Sequence, residues 1–242
     1  MKAFLLAAGA GTRLRPLTDH MPKCLVPVCG KPLLGRWLDL LLTQGVDEVL
    51  VNTHYLAQQV HDFAAAYPQA NRVSLLYEER LLGTGGTLLR HRARLDRGAF
   101  LVAHADNLAD LDVAALVHSH ATRPTGVEIT MLTFETDHPS SCGIVELDAN
   151  AIVVAFHEKA PDPPGRRANG AVYILEPSVL DFLASLHKEA IDLSTEVLPH
   201  YLGRIRAEPL VGYLRDVGRP ESLALAEEEF PRYLERRSRL QR

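Results

Sequence analysis

The sequence predicts an α/β protein with a mostly parallel, mixed central sheet. Three observations point there: short apolar runs of strand length recur along the chain, stretches of helical periodicity separate them through the first half, and the second half is strand-rich with fewer helices. The strand-like runs lie at 3–8, 48–53, 73–77, 100–104 and 127–134, with helix-like periodicity at 33–42, 57–67, 86–94 and 113–120. A βαβ series of this kind builds a sheet covered by helices on both faces and places its sites at the carboxyl ends of the strands. Beyond residue 140 the strand-like pieces are 143–147, 152–156, 171–175 and 206–210, a mixed region expected to pack against the first sheet. The loop KAPDPPGRRANG at 159–170 is polar and proline-rich, and is expected to be mobile.

Composition narrows the function classes. The chain has 242 residues, 47% hydrophobic and 23% charged, enough for a sizeable core in one domain. Its net charge of -4 gives no general attraction to nucleic acid. No apolar stretch reaches the roughly 18 residues of a membrane span, and no secretory leader pattern opens the sequence, so a cytoplasmic location without membrane partners is expected. Cys24, Cys29 and Cys142 fit no CxxC spacing and are expected to be reduced thiols. Eleven histidines contain no HExxH pair, and His118 and His120 stand two apart, where helical side chains do not face each other.

The most informative stretch is LAAGAGTRLRPLTDHMPK at 6–23. The first apolar run leads into Gly9-Ala10-Gly11, where glycines let the backbone take positive φ and bring N–H groups close to a polyanion. The spacing matches neither GxGxxG nor GxxxxGK[ST]. Arg13 and Lys23 strengthen a phosphate reading, because a triphosphate is neutralised by a guanidinium fork together with a point charge. The plainer alternative is a tight turn followed by a solvated basic loop.

This stretch resembles the opening pattern LAAGxGTRLxPLTxxxPK of the sugar-1-phosphate nucleotidyltransferases, the pyrophosphorylases that make nucleotide sugars. The resemblance continues in order through LLGTGGTLL at 81–89, HADN at 104–107, CGIVELD at 142–148, FHEKA at 156–160, NGAVYIL at 169–175 and DVGRPESL at 216–223. The segments GTGGTL, FHEK and NGAVYIL look most like the mannose-1-phosphate guanylyltransferase-like branch. The resemblance implies a Rossmann-like three-layer nucleotidyltransferase fold, in one domain spanning 1–242. Its nucleotide-binding half would be roughly 1–125, its sugar-phosphate-binding half 126–226, and its helical tail 227–242. No hexapeptide repeat follows DVGRPESL, so no C-terminal left-handed β-helix is expected in this chain.

The resemblance also implies a reaction. An oxygen of a sugar 1-phosphate attacks the α-phosphorus of a nucleoside triphosphate and expels pyrophosphate, chemistry that needs positioning and charge neutralisation more than covalent catalysis. On this reading Arg13 and Lys23 are the catalytic charges. Leu6, Ala8, Gly9, Gly11, Thr12, Gly83 and Asp106 join them in receiving the nucleotide. Asp106 and Asp216 hold Mg²⁺, two hard oxygen ligands that suit an ion keeping its waters and substrate phosphates. Gly143, Glu158, Lys159, Asn169 and Gly170 take the sugar phosphate.

Several of these residues have a structural alternative. Asp106 alone could begin a turn, Asp216 could cap a helix starting near Pro220, an exposed Glu158-Lys159 pair could be merely solvated, and Asn169-Gly170 is a common turn dipeptide. Two carboxylates brought together without a cation are expected to repel at a cost in stability.

The chain departs from the family pattern at Cys24, where a proline usually follows PK, and at His104-Ala105 before the aspartate. The expected substrates are GTP with a mannose- or heptose-type 1-phosphate. The alternatives are UTP with an amino-sugar 1-phosphate, a choline-phosphate-type cytidylyltransferase, and a non-catalytic nucleotide-sugar sensor, the last of which predicts loss of the charged residues that are all present. A homodimer is one expected assembly.

Overall fold

The computed structural model describes residues 1–240. In chain order the strands and helices are β1 (Lys2–Leu6), β2 (Pro27–Val28), β3 (Lys31–Pro32), α1 (Leu33–Thr43), β4 (Glu48–Thr53), α2 (Ala57–Ala65), β5 (Val73–Tyr77), α3 (Gly83–Arg90), α4 (Arg92–Leu95), β6 (Phe100–His104) and β7 (Asn107–Leu111). They continue with α5 (Val113–Ala121), β8 (Ile129–Glu135), β9 (Gly143–Leu147), β10 (Val153–Glu158), β11 (Arg167–Leu175), α6 (Ser178–Ser185), β12 (Ile205–Pro209), β13 (Gly212–Asp216) and α7 (Pro220–Leu240). The architecture is α/β around a mixed central sheet. Among the described residues no helix is long and apolar enough to cross a membrane.

The chain divides into two compact units, each assembled from separate stretches. One comprises Met1–Phe4, Arg80–Ala103 and Asp112–Leu210; the other comprises Leu5–Glu79, His104–Leu111 and the chain from Val211 onward. In the first unit β11 organises the sheet, pairing antiparallel with β6, β8 and β9, while β12 lies parallel to β8 and β10 antiparallel to β9. Its inward residues Val172, Tyr173, Ile174 and Leu175 are almost fully buried. A strand with neighbours on both sides can bury both faces, which is why this run is continuously apolar.

The second unit carries the parallel pair β4–β5 and two small antiparallel ladders, β2–β3 and β7–β13. Helix α1 buries Leu34, Trp37, Leu38, Leu41 and Leu42, an i, i+3, i+4 stripe that accounts for its helical periodicity. Burying such side chains is worth about 1.5–3 kcal/mol each.

Several boundaries differ from the sequence reading. The glycine-led helix starts at Gly83, not residue 86, and a break at His91 separates α3 from α4. Strand β11 begins at Arg167, so Asn169 and Gly170 lie inside a strand and are not a turn. Helix α7 starts at Pro220, ahead of the expected tail, whose last two residues, 241–242, lie outside the described residues. Strands β7 and β13 and helix α6 had no counterpart in the sequence reading.

Candidate functional site

In the second unit the chain leaves β1 into the glycine loop. The N–H of Ala7 donates to Asn52 Oδ1 at 2.7 Å, and Asn52 Nδ2 donates to Glu78 Oε2 at 3.2 Å. Both polar side chains belong to residues that are buried, so the end of β1 is fixed by an internal polar chain running to the ends of β4 and β5. Positive φ, expected at both glycines, occurs at Gly11 (φ 63°) and not at Gly9. Gly9 is exposed, with no described atom within 4 Å of where a Cβ would stand, so its missing side chain bares the loop surface instead of relieving a strained backbone. At Gly11 a Cβ would lie 2.9 Å from Lys23 Cβ and 3.0 Å from Thr18 Cγ2. Only glycine accommodates both that φ and that approach.

The loop then winds through short 3₁₀ turns at Thr12–Leu14, Leu17–Asp19 and Lys23–Leu25. Thr18 Oγ1 and the N–H of Leu14 both donate to Gly11 O, at 2.8 and 2.9 Å. Leu14 is buried in an apolar cluster with Val26, Val28, Leu108, Val217 and Phe230, while Thr12 and Arg13 remain exposed. Leu14 from GTRLR and Val217 from DVG thereby share one core, tying together the two ends of the motif series.

The carboxylates meet through the β7–β13 ladder. Asp106 occupies the tight turn between β6 and β7, and Asp216 ends β13 opposite Asn107. The buried Trp37 indole N–H donates to Asn107 O at 2.8 Å and pins this corner. Lys23, whose side chain is only 7% exposed, donates from Nζ to Asp106 Oδ2 at 2.6 Å and reaches Asp216 Oδ1 at 3.4 Å. The expected repulsion between the carboxylates is therefore offset by a cation from the chain itself, which corrects the expectation of a strained metal-free pair.

Burial pushes the Asp106 carboxyl up, but the charges of Lys23 and His104 outweigh it and hold Asp106 below the ordinary carboxylate range. The neighbouring Cys24 thiol is pushed up to about 12 by burial and by the Asp106 charge, so it stays a neutral thiol, in line with the reduced cysteine expected. Two hard carboxylates converging on one ammonium form a donor set that suits a divalent cation. Gly218, which the sequence reading did not single out, completes the corner. A Cβ there would lie 2.9 and 3.0 Å from the two carboxylate oxygens of Asp216 and 3.1 Å from Arg13 Nη2.

Helix α7 braces both strands of the ladder. Tyr233 OH donates to Asp110 Oδ2 at 2.8 Å and Arg237 pairs with the same carboxylate, while Glu229 accepts from Tyr213 OH at 3.2 Å and pairs with Arg215.

In the first unit the glycines of LLGTGG serve packing. Gly83 has φ 71°, and a Cβ on it would lie 2.5 Å from Ile191 O; Gly85 N–H donates to the same carbonyl at 2.8 Å. Gly143 stands opposite Glu158 in the β9–β10 ladder, and a Cβ on it would lie 2.7 Å from Glu158 Oε2 and 2.6 Å from Phe156 Cζ. Lys159 follows with φ 47°, an uncommon backbone state for a side chain of this size, held by its N–H bond to Cys142 O at 3.0 Å. Its Nζ lies 3.0 Å from Glu158 Oε1 and is mostly exposed.

Asn169 donates to Tyr173 OH at 2.6 Å and accepts from the N–H of Ala171 at 2.9 Å, so its amide is committed inside the strand next to buried Gly170. Burial, together with the charges of Glu158 and Asp192, raises the Tyr173 phenol and keeps it neutral, although hydrogen bonds from Asn169 and Ser194 oppose the shift.

The sequence reading missed Trp37, Asn52, Glu78, Gly218 and Tyr173. Of these Gly218 and Tyr173 carried a local signal, their places inside DVGRP and NGAVYIL. Trp37, Asn52 and Glu78 act through partners far away in sequence.

A nucleotidyl transferase family model matches residues 2–232. A mannose-1-phosphate guanylyltransferase of Mycobacterium tuberculosis is 31% identical over 224 residues, 90% of this chain and 61% of that protein. A mannose-1-phosphate guanyltransferase of Schizosaccharomyces pombe is 31% identical over 229 residues, 91% of this chain and 62% of that protein. The chain thus spans about three fifths of the length of these curated relatives. Among solved structures, HddC from Yersinia pseudotuberculosis, complexed with GMP-PN, superposes with a TM-score of 0.79 at 26% identity, covering 95% of this chain and 99% of that one.

Proposed function

The chain belongs to the nucleotidyl transferase family, and from that premise we propose that it transfers a nucleotidyl group from a nucleoside triphosphate to a sugar 1-phosphate, giving a nucleotide sugar and pyrophosphate. The observation that carries this reading is the corner of the second unit where Arg13, Lys23, Asp106 and Asp216, drawn from three separate stretches, gather around Gly218 and the end of β13. A turn with a solvated basic loop gives no reason to bury Lys23 between two carboxylates. A non-catalytic sensor gives no reason to keep all four charges.

On this reading Arg13 holds the triphosphate and stabilises the departing pyrophosphate. Lys23 neutralises the reacting phosphates, Leu6, Ala8, Gly9 and Gly83 receive base and ribose, and Gly11 and Thr12 also bind the nucleotide. Asp106 and Asp216 hold the divalent cation, proposed to be Mg²⁺, which supplies charge neutralisation at the α-phosphate. Glu158 accepts from sugar hydroxyls, Lys159 neutralises the sugar phosphate, and Gly143, Asn169 and Gly170 shape the ring pocket. As the new bond forms from the sugar phosphate oxygen to the α-phosphorus, the bond to the β-phosphate oxygen breaks and its electrons leave with pyrophosphate.

The names of the relatives support a guanine nucleotide and a mannose-type 1-phosphate as the pair, GTP with mannose 1-phosphate, and a heptose-type 1-phosphate is the other acceptor proposed. The test is pyrophosphate release across the four NTPs against mannose, glucose, N-acetylhexosamine, N-acetylmuramate and heptose 1-phosphates. The expected result is turnover confined to GTP with one or two sugar phosphates. Turnover with UTP and an amino-sugar phosphate would overturn the substrate assignment, and no release with any pair would overturn the activity.

A further inference from the structure

We propose that Lys23 occupies the cation position of the carboxylate pair in the ligand-free protein and yields it when a divalent ion arrives together with the triphosphate, so that one side chain positions first the carboxylates and then the phosphates. This rests on the reading of Asp106 and Asp216 as the metal pair.

Lys23 Nζ donates to Asp106 Oδ2 and reaches Asp216 Oδ1, the two oxygens that converge on one point. A divalent ion using these oxygens competes with the ammonium for the same lone pairs, and the two positive charges repel in a setting where Lys23 is only 7% exposed. The free ion is therefore opposed by the protein's own cation. A triphosphate reverses the balance, because its oxygens complete the ion's coordination and offer the displaced ammonium a new anionic partner.

The root of Lys23 is fixed while its tip can exchange partners. Its Cβ is packed against the open side of Gly11, leaving no room for a Cβ there, and the residue sits in a short 3₁₀ turn beside buried Cys24. Only the long stem has to turn. Asp216, 59% exposed at its side chain, is reached by Lys23 at 3.4 Å, so Lys23 is also what draws it toward Asp106 in the absence of an ion.

The experiment measures Mn²⁺ binding to the full chain by electron paramagnetic resonance of the free ion, with and without inorganic tripolyphosphate, a probe independent of base and sugar. Wild type is expected to bind Mn²⁺ weakly alone and at least tenfold more tightly with tripolyphosphate. Lys23→Met is expected to bind Mn²⁺ alone at least tenfold more tightly than wild type, with a larger rise in Tm on adding the ion and a smaller further gain from tripolyphosphate. Lys23→Gln serves as a second variant should Lys23→Met fail to fold. If the Lys23 variants and wild type bind Mn²⁺ alone equally, and Asp106→Asn abolishes that binding, the inference is wrong while the metal pair stands. If no protein binds Mn²⁺ even with tripolyphosphate, both the inference and the metal pair fall. A Lys23 that merely staples the fold would lower Tm on substitution without changing Mn²⁺ affinity, which also overturns the proposal.

Discussion

Asp216 stands opposite Asn107 in the antiparallel pairing of β7 and β13, one residue along the chain from Asp106. The ladder is short, yet it converts two carboxylates more than a hundred residues apart in sequence into neighbours sharing the ammonium of Lys23. The consequences of that arrangement differ for the two aspartates.

Asp106→Asn and Asp216→Asn are each expected to lower turnover by two or more orders of magnitude, measured as pyrophosphate release. Their stabilities separate them. Asp106 is the closer partner of a buried lysine, so Asp106→Asn leaves that ammonium short of its main counter-charge and should cost about 1–2 kcal/mol in urea unfolding in chelator, below the cost of breaking a fully buried pair because Asp106 retains some exposure. Asp216 is largely exposed and farther from Lys23, so its change should cost less than about 1 kcal/mol. Equal melting of wild type and Asp106→Asn would show that Lys23 does not depend on this carboxylate.

Gly218→Ala tests the corner without touching a charge. The atoms nearest the new methyl are the flexible ends of Asp216 and Arg13, which can turn aside at little cost, so stability should change by less than about 1 kcal/mol. The displaced carboxylate and guanidinium should lower kcat at least tenfold, since catalytic groups tolerate little misplacement. Unchanged kcat would mean that neither group is needed where it stands.

Lys159→Gln removes an exposed charge from a residue whose unusual backbone is held by its own N–H bond to Cys142. The variant should raise KM for the sugar 1-phosphate tenfold or more, leave KM for the nucleotide within about twofold, and keep Tm unchanged. An equal rise in both KM values would assign Lys159 to folding of the loop instead.

His120 gives the protein an acid-sensitive point outside the site. Burial lowers its pKa below the ordinary 6.5, assisted by Arg123 and opposed by the hydrogen bond and charge of Glu176, while its Nδ1 is 2.8 Å from Thr130 Oγ1. The unfolded chain thus takes up the proton before the native one does. The contribution is fully present above pH 6.5 and is lost as pH falls from there through the lowered native value, at a slope no steeper than about 1.4 kcal/mol per pH unit. Urea unfolding from pH 7.5 to 5 should show this loss in wild type and a flatter profile in His120→Gln. Identical profiles would remove His120 as the cause.

The sequence was most legible where the information is local. The apolar runs at β4, β5, β6 and β9 are strands with the expected bounds, because a short, mostly apolar run needs no knowledge of its partners to be recognised. The charged residues Arg13, Lys23, Asp106 and Asp216 stood out by type and motif. Helix α3 was displaced because its glycines argue against a helix, and their reason is the segment 189–191, whose backbone Gly83 and Gly86 allow to approach.

What the sequence by itself determined was the α/β class, the order of most buried strands and the identity of the charged residues, all properties carried by neighbours along the chain. What only the tertiary structure decided was which of those residues meet. NLADL and GYLRD are short, partly polar segments with weak strand signals, and pairing is a relation between them that neither contains. The same holds for Trp37 on Asn107, for Asn52 between Ala7 and Glu78, and for Lys23 between two aspartates. Local propensity sets the elements, but a buried polar or charged group becomes stable only when the fold supplies its partner, so the site's working geometry belongs to the tertiary structure.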